Sequence, residues 1–454
     1  MYLLNISFRL FKCTSQNIDS LYRGLNDAAL PVLYKDAVTV TRNLGYRYCG
    51  SMFEVQNLIV IRYLWIDSLC IVQDSRDDWA FECTRMADVY ANSSLTISAI
   101  SCENSLQGFQ YTDTPYKQCE LSAITGTPGQ YVYIHRPLRQ HPRFPLLSRA
   151  WVVQEMLLSP RVLHVTSEDM VFQCNHHTIL EGGPDTNFTF EMATSEVHKL
   201  AFHTNPYEAW GVMIRRFSRT EITFESDRLP AVSAMAKVVK DLTGDKYLAG
   251  IWKGDLAAGL MWHIYMPGVS NTHTYVAPTW SWASIKGVAY SVSDGLRQWS
   301  KLEFIDAKIQ LSSTNPFGEV SSASLTVRGP LREILGRQTS SLRTPDTSLS
   351  EPDDMLIGMR VQYDTVENRT KIRDTDRIWC LACVTNTALE RTCETDTKNY
   401  SWFSMPHGLL LQRVCEEEHK YRRLGVFGVC DPGEDNSNRK WHRHGFVDTT
   451  VTII

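Results

Sequence analysis

Asp67 is an acid inside an apolar run. The stretch Tyr63 to Ile71 reads YLWIDSLCI, the near-continuous apolar pattern expected of a strand buried on both faces. An unpaired buried carboxylate is costly, so Asp67 should accept hydrogen bonds from neighbouring amides or lie near a site. Asp74, just beyond the run, either caps the next helix or lines a pocket, since loops at strand C-terminal ends are where α/β ligands bind. At both positions the structural role weighs more.

A second group lies in SRAWVVQEMLLS, where Arg149, Gln154 and Glu155 surround Trp151 on one expected helix. Glu155 follows Trp151 by one turn, so both can face the first group. Arg149 could pair with Asp67 or Asp74 as glue between the two blocks, or hold a phosphate, and glue is the heavier reading. Other sets are weaker. Cys380-x-x-Cys383 lacks a second pair at zinc spacing and sits in the apolar run IWCLACV, which favours a core strand over metal or redox work. His176 and His177 beside Cys174 lack a defined fourth ligand, so no metal is expected. No Gly-x-x-x-x-Gly-Lys-Ser/Thr loop and no Gly-x-Ser-x-Gly elbow occurs in the sequence.

These groups sit in a chain of 454 residues, 43% hydrophobic and 21% charged, with net charge -4. That is the composition of a globular protein with room for about two or three cores. No basic excess suggests nucleic acid, and no apolar window approaches a membrane span. MYLLNISFRLFKC lacks a basic leader and a cleavage site, so no signal peptide is expected. Twelve scattered cysteines, among them Cys70 and Cys83 in apolar surroundings, read as buried reduced thiols in a cytoplasmic protein.

The elements that must position the acids follow from periodicity. Leu30 to Leu44 has helical spacing. Ser75 is a helix N-cap with Asp77 and Asp78 in the first turn, and Trp79, Cys83, Met86 and Tyr90 form one stripe. Leu95 to Ile100 resumes as a strand, so strand, helix, strand predicts a parallel α/β sheet. Val162 to Cys174 predicts two short strands around a polar turn. Residues 195 to 265 are mainly helical, with Pro230 in a first turn. Beyond Trp280 the chain is β-rich, through LTVRG, IWCLACV, GLLLQRV and LGVFGV, and 336–354 is an expected flexible loop.

The run LWIDSLCIVQDSRDDWAFECTRMADVYANSSLTISA, Leu64 to Ala99, resembles the signature block of fungal heterokaryon-incompatibility (HET) domains. Ser148 to His164, SRAWVVQEMLLSPRVLH, resembles that family's arginine-Gly-Trp-x-x-Gln-Glu segment, with Ala150 where glycine is usual. DRLPAVSAMA, AGIWKGDLAAGLMW and APTWSWAS fit longer proteins that carry this domain. The resemblance marks Trp65, Asp67, Cys70, Gln73, Asp74, Trp79, Met86, Tyr90, Arg149, Trp151, Gln154 and Glu155 as signature residues. It implies a HET domain over 1–175, a helical middle region over 176–290 and a β-rich region over 291–454. Two departures stand out. The opening strand, roughly Leu-Ser-Tyr-x-Trp-Gly in the family, has no counterpart in MYLLNISFRL. Residues 49–63 interrupt the family pattern, with Arg47-Tyr48 recurring as Arg62-Tyr63, and read as an insertion.

HET domains resemble TIR domains, which implies a small parallel sheet flanked by helices. Some TIR domains cleave NAD through a glutamate on a helix a few residues after a tryptophan. Asp78-Trp79-x-x-Glu82 fits that comparison, with a spacing one residue shorter than in several TIR enzymes. Glu82 would then accept a ribose hydroxyl and stabilise an oxocarbenium-like centre. An ordinary surface ion pair with Arg85 is the heavier reading. The resemblance implies a protein of self/non-self recognition and programmed cell death, with NAD as a substrate and no bound cofactor. Its partners would be other incompatibility proteins or a second copy of the domain. The alternatives are a non-catalytic interaction adaptor and a non-functional product of a damaged gene.

Overall fold

The computed structural model describes residues 12–24, 27–44, 63–109, 117–120, 131–134, 144–166, 170–175, 177–180, 202–264, 270–287, 289–290, 300–339, 359–384, 408–415, 419–429 and 445–454. The insertion read over 49–63 lies outside them except at Tyr63, as do the opening decapeptide, His176 and all of the 336–354 loop beyond Thr339. The chain divides into two compact units, Met1–Leu200 and Ala201–Ile454.

In the first unit the helices are α1 (Ile18–Arg23), α2 (Val32–Asn43), α3 (Asp67–Cys70), α4 (Arg76–Ala91) and α5 (Ala150–Leu158). The strands are β1 (Thr96–Ser98), β2 (Lys117–Glu120), β3 (Tyr131–Ile134), β4 (Arg161–Val165), β5 (Met170–Cys174) and β6 (Thr178–Leu180). One sheet runs β1-β4-β5-β6. β1 and β4 are parallel, with Ile97 opposite Leu163, whereas β4-β5 and β5-β6 are antiparallel. The expected parallel sheet is therefore mixed. β4 ends at Val165 and β5 begins at Met170, and so short a connection makes antiparallel neighbours.

Helices cover both faces because successive strand residues point to opposite sides. Ile97, Ala99 and Val165 pack with Leu33, Tyr34 and Ala37 of α2. Ile100 and Val162 pack with Met86 and Tyr90 of α4 and with Val152 and Met156 of α5. Each such apolar side chain withdrawn from water contributes about 1.5–3 kcal/mol before entropy is counted.

The strand expected over Tyr63–Ile71 is corrected. Asp67–Cys70 is a helical turn between extended Ile66 and Ile71. Leu69 and Cys70 amides both bond the Ile66 carbonyl, at 2.9 and 2.8 Å. A short apolar run lacks the alternation that separates strand from buried turn, and here one turn buries Ile66, Ser68 and Ile71 together.

In the second unit α6 (Pro206–Phe217) and α7 (Ser233–Thr243) pack with α8 (Leu256–Leu260) and the small pairs β7 (Tyr247–Leu248) with β8 (Ile251–Trp252), β9 (His263–Ile264) with β12 (Ala289–Tyr290), and β10 (Ser270–Asn271) with β11 (Ile285–Lys286). The remainder is β13 (Glu303–Leu311), β14 (Val320–Leu335), β15 (Met359–Tyr363), α9 (Val366–Lys371), β16 (Arg377–Ala382), β17 (Gly408–Cys415), β18 (Lys420–Val429) and β19 (Val447–Ile453). β14 pairs with β16, β16 with β17, β17 with β18, β18 with β19 and β19 with β14. The pairings close a ring of five strands, which removes its edges; β13 and β15 extend it. Cys380 and Cys383 are buried free thiols here, as a core strand requires.

Candidate functional site

The site of the first unit is built at the starts of three helices. Ser75 Oγ accepts the Asp78 amide at 3.2 Å and caps α4. Asp78 Oδ2 in turn accepts the Val72 amide at 2.7 Å. The stripe on α4 is buried at Cys83, Met86 and Tyr90 and half-buried at Trp79. α3 opens on Asp67, whose Oδ1 accepts the Ser68 amide at 2.7 Å, and Ser68 Oγ meets Tyr34 Oη at 2.6 Å. Gln73 closes the loop between α3 and α4, its Nε2 donating to the Ile71 carbonyl at 3.1 Å and its amide to Cys13 at 2.9 Å. Asp74 accepts both the amide and the hydroxyl of Ser15, at 2.8 and 2.6 Å, and these bonds hold its carboxyl below the usual range. Asp74 thus ties this loop to the segment that leads into α1.

α5 follows extended Arg149 and buries Val152, Val153, Gln154 and Glu155. Its aromatic residue joins the two signature blocks: Trp151 meets Trp79 edge to face at 6.1 Å and 87°. Trp65 meets Tyr90 in the same way at 5.8 Å and 78°. Such pairs add about 0.5–1.5 kcal/mol beyond area burial.

Within this aromatic frame lies an acid–arginine–acid cluster. Burial pushes the Glu155 carboxyl well above the usual carboxylate range, the positive charge of Arg149 opposes the rise, and the Asp67 charge adds to it. Asp67 is raised by burial and again opposed by Arg149. Tyr90 is raised well above its ordinary value, first by burial and then by Glu155. The charge of one guanidinium thus acts on both acids, against the effect of burial. Glu155 is 1% exposed, and its Oε1 has no hydrogen-bond partner among the described residues. Ser98 Oγ, on the β1 face that carries Ile100 toward α4 and α5, is likewise buried without a partner among them.

The signature residues therefore divide. Trp65, Asp67, Trp79, Met86, Tyr90, Arg149, Trp151, Gln154 and Glu155 form the frame and cluster, while Gln73 and Asp74 hold the adjoining loop. Cys70 is exposed, which corrects its reading as a buried thiol. Glu82 lies on α4 in an ion pair with Arg85 at 3.4 Å, and the Arg85 guanidinium stacks on Phe81 at 5.2 Å. The polar pair His164–Gln173, Nε2 to Oε1 at 3.2 Å, was not singled out from sequence, though both residues sit at inward positions of short strands. Among the described residues no group of three His, Cys, Asp or Glu side chains is placed to hold a metal, and no helix is long and apolar enough to cross a membrane.

A mixed sheet with helices on both faces and an acid–arginine cluster beneath one of them makes the first unit an α/β domain. Residues 11–155 match the family described as Heterokaryon incompatibility protein (HET), and this stretch is similar to that family's domain. The match ends on Glu155. No curated protein and no solved structure matches the chain.

Proposed function

We propose that this chain acts in fungal heterokaryon incompatibility as a death effector, and that its HET domain cleaves NAD at Glu155. The reading rests on one observation: Glu155 stands one turn after Trp151, on the helix leading into β4, buried beside Arg149 and with Oε1 unpartnered among the described residues. A carboxyl so placed has hydrogen-bonding capacity to offer a ligand. The positive nicotinamide ring of bound NAD would favour ionisation of Glu155, as any adjacent cation does. The carboxylate would accept a ribose hydroxyl while the bond from ribose C1′ to the nicotinamide nitrogen breaks. Nicotinamide leaves with the electron pair, and water adds to the oxocarbenium centre and releases a proton. Arg149 would keep the carboxyl in place. Glu82, half-buried on α4 and paired with the exposed Arg85 at 3.4 Å, is the other candidate for this role.

A second reading, a TIR-like adaptor that works by association with other incompatibility proteins or with its own copies, is favoured by the closure of the cluster: Glu155 is only 1% exposed. The test is NAD consumption by the purified full chain, alongside Glu155→Gln and Glu82→Gln. Turnover that survives Glu82→Gln and vanishes in a folded Glu155→Gln supports the enzyme. A folded chain without turnover, whose expression still kills cells, supports the adaptor.

A further inference from the structure

The second unit contains a cleft of about 240 Å³ between the β7–β8 hairpin and the β13–β14 hairpin. One wall is rigid. The β7–β8 turn passes through Ala249 at φ +46° and Gly250 at φ +106°, and the left-handed region costs an L residue about 1 kcal/mol. The Gly250 carbonyl accepts two indole N–H groups, from Trp210 at 3.0 Å and Trp282 at 2.9 Å. Gly250 and Trp282 belong to the AGIW and TWSW blocks, which the first unit's chemistry does not use. The Tyr247 ring is braced by Trp252 at 5.2 Å and Phe317 at 5.3 Å. Its hydroxyl is buried without a hydrogen bond of ordinary geometry among the described residues, and burial raises its pKa against a weaker opposing effect of the Gly250 amide.

The opposite wall is apolar, formed by Ile309, Pro316 and Val320 among others, and no carboxylate lines the cleft. Charge enters on one side. Lys246 lines the cleft, and its ammonium lies 5.8 Å from the Phe304 ring centre, while Lys253 stands 4.8 Å from the same ring. Lys246 Nζ also donates to the Ala307 carbonyl at 3.4 Å. Two ammonium groups near one phenyl ring give this side of the cleft a positive charge that an anion would meet favourably.

We propose that this cleft binds a small organic anion with a flat apolar body and a single carboxylate. The body lies between Tyr247 and the β13–β14 side chains, and the carboxylate meets Lys246 with Lys253 behind it. Pockets of this kind pair an apolar lining with a few polar groups that fix orientation. The site would give the second unit a ligand-sensing role that does not depend on the chemistry of the first.

The test is a titration of the purified full chain with 2-naphthoate, followed by ligand-observed NMR, with uncharged 2-naphthalenemethanol as comparison. The expected result is saturable naphthoate binding that is about tenfold weaker for the alcohol and for Lys246→Gln, as loss of a charge-assisted contact implies. Ile309→Trp, which fills the cleft from a half-buried position, should abolish binding while the unfolding temperature holds. Equal binding of acid and alcohol, binding unchanged by Ile309→Trp, or no saturable binding to the folded chain would each overturn the proposal.

Discussion

Trp79 and Trp151, 72 positions apart, meet edge to face with ring centres 6.1 Å apart. This contact joins the helix of the first signature block to the helix of the second. Replacing either residue with leucine should lower the stability of the first unit. The double variant should lose less than the sum, with a coupling of about 1 kcal/mol. Urea unfolding of the four proteins measures it; strict additivity would mean that the rings share no energy.

The helix that carries Trp79 depends on its cap. Ser75→Ala should cost about 1 kcal/mol, because the Asp78 amide loses its acceptor. Ser75→Asp should restore most of that loss, since it supplies an oxygen and a favourable charge at the helix start. Denaturant midpoints of the three proteins decide this.

Two buried groups give the first unit opposite pH responses. Glu155 has a raised pKa, so its folded form binds the proton more tightly than the unfolded chain does. Its contribution is fully present below the ordinary glutamate value of about 4.3 and is lost as pH rises through the folded value. Glu155→Gln should therefore flatten the decline of stability above that range and be neutral or stabilising at pH 7. His164 is lowered to about 4 by burial. Its folded form resists protonation, so stability falls as pH drops from about 6.5 toward 4, by up to about 3 kcal/mol. His164→Gln should remove that acid-side loss. Stability measured across pH 4–8 separates the two effects by sign.

The second unit is fastened by Arg423, fully buried on β18. Its Nε donates to Asp364 Oδ2 at 2.7 Å and its Nη2 to Oδ1 at 2.9 Å. The other guanidinium hydrogens reach the Leu260 and Trp262 carbonyls, and the group stacks on the Trp262 ring at 3.5 Å. Arg423→Met should cost about 3–5 kcal/mol by leaving Asp364 buried and uncompensated. Arg423→Lys should not rescue it, because one ammonium cannot reproduce a planar fork. The double change Arg423→Met with Asp364→Leu should recover much of the loss; a double variant as weak as the single would locate the effect in the carbonyl contacts instead.

The sequence by itself determined most of the elements and the partition of acids into two blocks. Helical spacing from Leu30 to Leu44, the Ser75 cap with its stripe, and the strands at Leu95, Val162 and beyond Leu325 are local patterns. Burial of one face leaves such a period whatever the partner is. Tertiary structure decided what periodicity does not encode. YLWIDSLCI carries no alternation, and its backbone bonds turned it into a helical turn around Asp67. The Arg149 charge acts on Asp67 and Glu155, while Glu82, also a glutamate about one turn after a tryptophan, pairs with Arg85. The sheet became mixed because the few residues between Val165 and Met170 are too short for a crossover and leave only antiparallel pairing. Arg423 and Asp364 meet across 59 positions because β15 pairs antiparallel with β18, with Tyr363 opposite Gly425. A charge pattern reports that a charge must be satisfied, and only the packed chain decides by which partner.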